Sequence, residues 1–455
     1  MEQLTYPLTG NDFLYQQLYQ FIKDDILAGR LTFAEKLPSK RKLSQHLSIS
    51  QTTVEIAYQQ LQDEGFIYSK PKVGYFVEDI KTVNSAPKNS IELHLPSTID
   101  HTLSLTIEDS HQAKFPFQLF RKYARDAFEV ESSILLERGD AQGEPALRNE
   151  IRRYLYHSRG VHCTNEQIII GSSTEQLFTL LTRLLPDATY LLENPGYPSI
   201  RKVLQYENKP FKTIDVDAEG IIVSEIHNQG NIVHVTPSHQ FPTGAVLSAG
   251  RRTELLAWAG KNSGHYIIED DYDSEFRYKG RPLKALQGMD NSHKVIYMST
   301  FSKSIFPSIR MAYLVLPEPL LKRYQQLSNK PNITVPRHMQ YIVTQFMQDG
   351  EFERNINRMR KIYKRKSELA LSALAHYKEA INISGEFAGM HFIVEVKGNE
   401  DIRPIIDDMN IKISMLEDYM QCHKDKAFNK FILGFGGLED AAIEEVITKL
   451  MKELV

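Results

Sequence analysis

Apolar positions recur with two different periods along this chain, and the change of period divides it. Leu14, Leu18, Ile22 and Ile26 come four residues apart, which predicts an amphipathic helix over Phe13 to Ala28. Pro38, which stops a helix from extending backward, and Ser39, a suitable N-cap, open a second helix over Lys40 to Leu47. After a break at Ser48 to Ser50, Val54, Ala57, Tyr58 and Leu61 give one apolar face to a third helix, Gln51 to Glu64, and Gly65 ends it. Phe66 to Tyr68 and Tyr75 to Val77 flank a polar turn and read as a two-stranded wing. Residues 1–79 are thus expected to form a winged helix-turn-helix, whose third helix enters the major groove of double-stranded DNA.

Residues 80–100 hold two prolines, several Ser, Thr and Asn, and no sustained period, and read as a linker. From 101 to 455, short apolar β-runs alternate with helix-length amphipathic segments. That pattern predicts an α/β domain with a mostly parallel, three-layer sheet. A smaller C-terminal α+β subdomain is expected from about 335 to 455. Five runs end in polar turns: Gln167 to Ile170, Tyr190 to Leu192, Ile232 to Val235, Tyr266 to Ile268 and Val295 to Met298. Strand ends of this kind line one shared crevice in an α/β sheet.

The run from Lys294 to Leu316 carries the sharpest chemistry. Lys303 stands between Ser302 and Ser304, just off a strand end, and Arg310 follows before the next apolar run. A lysine so placed can form a Schiff base with an aldehyde, and an arginine can clamp a phosphate through its guanidinium fork. Pyridoxal 5'-phosphate (PLP) carries both groups. Ser172, Ser173 and Thr174 open a helix after an apolar run, where unpaired amides favour an anion.

Composition narrows this little. The 455 residues are 42% apolar and 24% charged with a net charge of −3, so no global excess points to nucleic acid or membrane. Locally, Lys36 to Val77 holds six basic residues against three acidic ones, clustered at the start of the second helix and the wing tip. Two distant cysteines, Cys163 and Cys422, suggest neither a disulfide framework nor a zinc site, and no metal is expected. A signal peptide and a membrane-length apolar run are both absent from the pattern, so a cytoplasmic protein is expected.

The stretch from Leu37 to Val77 resembles the DNA-binding domain of the GntR family over its whole length. That resemblance implies that Lys40 and Arg41 touch phosphates or bases, that Gln51, Thr52 and Thr53 face the groove, and that Lys72 and Gly74 form the wing. Gln51 replaces the arginine of many relatives, and glutamine pairs with adenine rather than guanine. The larger domain resembles fold-type I PLP enzymes of the aminotransferase kind. Carried over, Lys303 would hold the cofactor's aldehyde, Asp270 pair with the pyridinium nitrogen, Tyr272 bond the phenolic oxygen and Tyr197 stack on the ring. Ser172, Ser173, Thr174, Thr300, Ser302 and Arg310 would surround the phosphate.

The two domains together resemble the MocR/GabR family of transcription regulators. The implied protein is a homodimer whose DNA binding is governed at Lys303 by PLP itself or by an amine or amino-acid effector. The chain departs from aminotransferases at three places. Phe241 stands where they carry a cofactor-binding asparagine. Arg138 replaces a tyrosine that would reach the partner's phosphate. The run Lys430 to Leu438 lacks their substrate-holding arginine. An active aminotransferase with a fused DNA-binding domain is the alternative, and a cofactor-free dimerisation relic a third reading.

Overall fold

The chain divides into two units, Met1–Ile99 and Asp100–Val455. The computed structural model describes residues 4–8, 13–80, 103–106, 115–129, 134–278, 283–327, 334–398, 401–409, 411–421 and 428–455. The linker expected over 80–100 lies outside them, save Ile80.

In the first unit, α1 (Leu14–Leu27), α2 (Lys40–Leu47) and α3 (Gln51–Asp63) precede a hairpin of β1 (Ile67–Lys70) and β2 (Gly74–Val77). Serine hydroxyls start two of these helices: Ser39 accepts from the Lys42 amide at 3.3 Å and Ser50 from the Thr53 amide at 3.0 Å. The periodic residues do what their spacing demands. Leu18, Ile22 and Ile26 of α1 bury against Val54, Ala57, Tyr58 and Leu61 of α3, and Ile67 and Val77 close the core under the wing.

The second unit begins on its own small subdomain. β3 (Leu103–Ser104) pairs in parallel with a strand near residue 411, and Leu105 is fully buried in that subdomain's core. The main sheet takes β4 (Ile168–Gly171), β5 (Tyr190–Asn194), β6 (Phe211–Asp217), β7 (Gly220–Ile221), β8 (Ile232–Val235), β9 (Tyr266–Asp271), β10 (Val295–Thr300) and β11 (Ala312–Val315). Their order across the sheet is β4-β11-β10-β9-β8-β5-β6-β7. Pairing is parallel from β6 through β5, β8 and β9 to β10, and antiparallel on both sides of β11. β4, β5, β8, β9 and β10 are buried along nearly their whole length, which explains their unbroken apolar runs. β6 alternates instead, with only Ile214 buried.

Helices α4 (Phe117–Glu129), α5 (Pro145–Arg159), α6 (Thr174–Leu184), α7 (Pro198–Tyr206), α8 (Ala249–Gly260), α9 (Glu318–Gln326) and α10 (Arg337–Gln348) cover the sheet, and α11 (Glu351–Leu374) leads away from it. The small subdomain stacks a four-stranded antiparallel sheet, β12 (Ile381–Ser384), β13 (His391–Val396), β15 (Ser414–Met415) and β16 (Lys430–Gly434), with β14 (Ile411–Lys412), α12 (Arg403–Asp408) and α13 (Ile443–Leu454). Its boundary differs from the expected residue 335. Ile342, Val343 and Phe346 of α10 share a core with Leu147 and Ile151 of α5, so α10 belongs to the main sheet's cover. The small core starts instead at the far end of α11, with Ala370, Ala373 and Leu374.

Ile296, near the start of β10, has no exposed surface. Truncation there leaves a cavity that flanking strands cannot close, so Ile296→Ala should lower stability by about 2–5 kcal/mol, read as a lower urea midpoint at unchanged slope.

Candidate functional site

Register places the candidate residues. Thr300 at the end of β10 pairs with Ala312 at the start of β11, and Ala312 pairs with Gly171 at the end of β4. Because β11 runs against its neighbours, its beginning lies at the edge where theirs finish. Ser172, Ser302, Lys303 and Arg310, which adjoin those paired residues, therefore share one stretch of sheet edge. One strand on, Asp270 pairs with Met298, and Tyr272 follows it. Tyr197 caps α7 just beyond β5, and the residue is 37% exposed.

Several of these groups have unmet needs. Asp270 is 5% exposed, and its Oδ1 accepts no hydrogen bond. Its Oδ2 lies 3.4 Å from His234 Nε2, close enough for an ion pair but not aligned as a hydrogen bond. A buried carboxylate oxygen lacking a donor is costly, so a ligand N–H arriving there would be stabilised. Arg310 holds a left-handed φ of 46°, an unfavourable backbone for a residue with a Cβ, and its exposed side chain makes no hydrogen bond or ion pair among the described residues, which leaves it open to an anion.

Other groups are occupied. The Ser172 amide and hydroxyl both donate to Gln176 Oε1, at 2.7 and 3.1 Å, and Ser173 caps α6 by accepting from the Gln176 amide. Thr174 is the first residue of that helix. Thr300 donates its hydroxyl to Ser302 Oγ at 3.0 Å and accepts from the Ser302 amide. His239 Nδ1 sits 2.8 Å from Asp273 Oδ2 and 3.0 Å from the Tyr272 hydroxyl. Burial, then the charges of Asp273 and Asp270, push the Tyr272 phenol well above its ordinary range, so it stays protonated. The His391 imidazole is pushed down to about 3 by burial, with His239 and the Lys303 charge adding to the effect, and is neutral. Arg138 is exposed and lies on the segment leading to α5.

Beneath the crevice, burial pushes Glu193, Glu269 and Glu275 each up to about 7. Glu193 accepts from the Thr236 amide and hydroxyl, at 3.1 and 2.6 Å, and from Gln240. Sequence reasoning missed Glu193, His234, Gln176 and His391. Each lies inside an apolar run or on a helix where only the folded neighbours reveal its role.

In the first unit, Arg41, Gln51, Thr52 and Lys72 are exposed. Lys72 turns the wing tip with a φ of 62°, and Gly74, at 135°, has a backbone that a side chain would strain. Two expected contacts are engaged within the fold. Lys40 Nζ donates to Glu55 at 2.6 Å and lies over the Tyr75 ring, and Thr53 Oγ1 is 2.7 Å from Ser50 Oγ. Among the described residues there is no helix long and apolar enough to cross a membrane and no cluster of metal ligands.

Residues 14–77 match the bacterial regulatory proteins of the gntR family and residues 104–425 the class I and II aminotransferases. Fold and matches together define a helix-turn-helix regulator fused to an aminotransferase-like body. Over 96% of both chains the protein is 38% identical to the uncharacterized HTH-type transcriptional regulator YdeL of Bacillus subtilis (strain 168). It is 28% identical to the HTH-type pyridoxine biosynthesis transcriptional regulator PdxR of Corynebacterium glutamicum, over 95% of this chain and 94% of that one. The kynurenine aminotransferase of Pyrococcus horikoshii, solved in complex with PMP, shares the fold with a TM-score of 0.69 and 22% identity, over 78% of this chain and 90% of that one. The chain belongs to the MocR-type HTH transcriptional regulators.

The Glu193 carboxyl keeps its proton to about pH 7 in the folded chain, against an ordinary value of 4.5. Stability from this group is therefore full below 4.5 and is lost as pH rises through 7. In Glu193→Gln, the fall in stability between pH 4.5 and 8 should be smaller than in the parent by on the order of 2 kcal/mol, measured by urea unfolding at both pH values.

Proposed function

We propose that this regulator binds PLP at Lys303 and reads either the cofactor itself or an amine-bearing effector through it. The carrying observation is the meeting, at one sheet edge, of Lys303, the unpartnered Arg310 and the unsatisfied Oδ1 of Asp270. The residues fit the group. Asp270 Oδ1 would accept the ring N–H and keep it protonated, the Tyr272 phenol would donate to the phenolic oxygen, and Tyr197 would cover the ring face. Arg310, with the amides and hydroxyls of Ser172, Ser173, Thr174, Thr300 and Ser302, would hold the phosphate. Gln176 must give up its hold on Ser172 for that amide to serve. Arg138 of the partner subunit is assigned to the same phosphate in a homodimer.

Bound PLP supplies an aldehyde that joins reversibly to primary amines. Lys303 Nζ would hold it, within reach of the charge interaction with the neutral His391, and an amine-bearing effector would compete with Lys303 for it. A Lys303 set free in this way would change which contacts the crevice prefers, and that difference would bias the equilibrium between DNA-binding states. Arg41, Gln51, Thr52, Lys72 and Gly74 meet the operator, joined by Lys40 and Thr53 once Glu55 and Ser50 release them. The relative named for pyridoxine biosynthesis supports PLP as a signal in its own right. The aminotransferase match also supports a second reading, turnover of amino donors, which rates measured with amino-acid and keto-acid pairs would test.

Purified protein should absorb in the visible, and borohydride should fix the cofactor on Lys303. Lys303→Ala should lose that label and the promoter's response to PLP, and a variant that keeps the full response overturns the proposal. On DNA, Lys72→Ala should weaken binding to all sequences alike and lower the log–log salt slope by about 1, measured by anisotropy titrations at several salt concentrations.

A further inference from the structure

The Tyr272 hydroxyl, His239 Nδ1 and Asp273 Oδ2 converge, and the hydrogen on the imidazole decides what the phenol can do. His239 lies in the turn after β8, and Tyr272 and Asp273 follow β9. His239 and Asp273 are each 2% exposed. Nδ1 sits 2.8 Å from Asp273 Oδ2 and 3.0 Å from the Tyr272 oxygen. An imidazole nitrogen either donates or accepts, never both. Nδ1 therefore cannot give a hydrogen to Asp273 and receive one from Tyr272.

The surroundings favour the first arrangement. A carboxylate buried this deeply needs a donor, and Nδ1 is in place to be one. His239 also lines a cavity of about 10 Å³ with Arg159, Ser274 and Arg277. Arginines only donate, which suits an Nε2 without a hydrogen, and Nε2 makes no hydrogen bond among the described residues. From β13 the neutral His391 approaches the same ring, with centroids 5.4 Å apart. Backbone holds the ring in this pose. Gly389, just before β13, passes so close that a Cβ there would lie 2.3 Å from His239 Cε1 and 2.8 Å from Asp273 Oδ2. With the hydrogen on Nδ1, the phenol, kept protonated by burial, finds no acceptor at the imidazole. Its other acceptor in the fold is Asp273, whose near oxygen the imidazole already engages.

We infer that His239 is a positioning residue: by satisfying Asp273, it keeps the Tyr272 hydrogen free for the phenolic oxygen of a ligand held at Lys303. The inference rests on the reading of Lys303 as the cofactor's anchor. Without the imidazole, Asp273 would draw the phenol's hydrogen to itself, and the ligand oxygen would lose its donor.

The test follows the absorbance of PLP-loaded, full-length protein against pH. A donor at the phenolic oxygen weakens that oxygen's hold on the proton it shares with the nitrogen at Lys303, so losing the donor raises the midpoint of the colour change. Tyr272→Phe should raise it by about one pH unit, tenfold in proton affinity. His239→Phe, which keeps a ring in place, should raise it as far. The double variant His239→Phe/Asp273→Ala, which removes the competing acceptor, should return it toward the parent value. A midpoint that Tyr272→Phe or His239→Phe leaves in place, or that the double variant leaves raised, overturns the inference while the cofactor reading stands. A second readout needs no cofactor. In unloaded protein labelled with 15N-histidine, the ring signals missing from the double variant should show a hydrogen on Nδ1, and a bare Nδ1 overturns the inference. A protein with no visible band and no borohydride label sinks the cofactor reading, and the inference with it.

Discussion

The antiparallel insertion of β11 between β10 and β4 is the constraint on which the crevice depends. Were β11 parallel to its neighbours, the turn that precedes it would have to cross to the opposite edge of the sheet, carrying Arg310 away from Lys303. Running backward, it lets a short turn join Thr300 to Ala312, and the groups on that turn stay together. The same pairing ties Gly171 to Ala312, so the start of α6 joins them without any long-range contact between side chains. Backbone hydrogen bonds thus set the spacing of the groups proposed to meet the ligand.

A second, electrostatic frame stiffens the floor. Arg159 and Asp271 form an ion pair at 2.7 Å with both side chains at least 96% buried, and Arg159 also donates to Ser238 and to the Leu283 carbonyl. Tyr297 donates its hydroxyl to the same Asp271 oxygen at 2.5 Å, and Ser299 donates to the Asp271 carbonyl at 2.7 Å. A pair so deeply desolvated contributes little net stability, but removing one partner would strand the other charge. Its effect here is positional. Asp271 adjoins Asp270, and holding one residue of β9 through Arg159, Tyr297 and Ser299 limits how far the next can move. The buried Glu269 and half-buried Glu275 carboxyls are spared a like-charge conflict with Asp271 by holding their protons to about pH 7.

Much of this was legible in the amino-acid sequence, and the failures have physical causes. Runs such as Ile232 to Val235 and Val295 to Met298 stood out because strands covered on both faces need apolar residues at every position. β6 escaped notice because an outer strand half in water alternates, and Phe-Lys-Thr-Ile-Asp-Val-Asp carries a single buried residue. The direction of β11 left no mark at all, since period two is the same read either way. At the phosphate side the serines were found by type, but their present bonding was not. Ser172 is already satisfied by Gln176, a helix residue whose side chain folds back one turn, and spacing alone does not distinguish that from an open anion site. His234 and Glu193 sit within apolar runs, where a polar residue reads as an interruption until its neighbours across the sheet are known.

The two units also differ in how firmly their working groups are held, and the difference suits their tasks. In the first unit, Lys40 is tied by a salt bridge to a Glu55 side chain that is 56% exposed. Exposed pairs of this kind are worth about 0–1 kcal/mol and weaken with salt. A phosphate, with its denser charge and a counterion to release, competes easily for such a lysine. In the crevice the bonds are short, buried and costly to break, as the hold of Asp273 and Tyr272 on His239 illustrates. The groups proposed to meet DNA are thus ones that exchange partners at little expense, while the groups proposed to meet a small molecule are held in place.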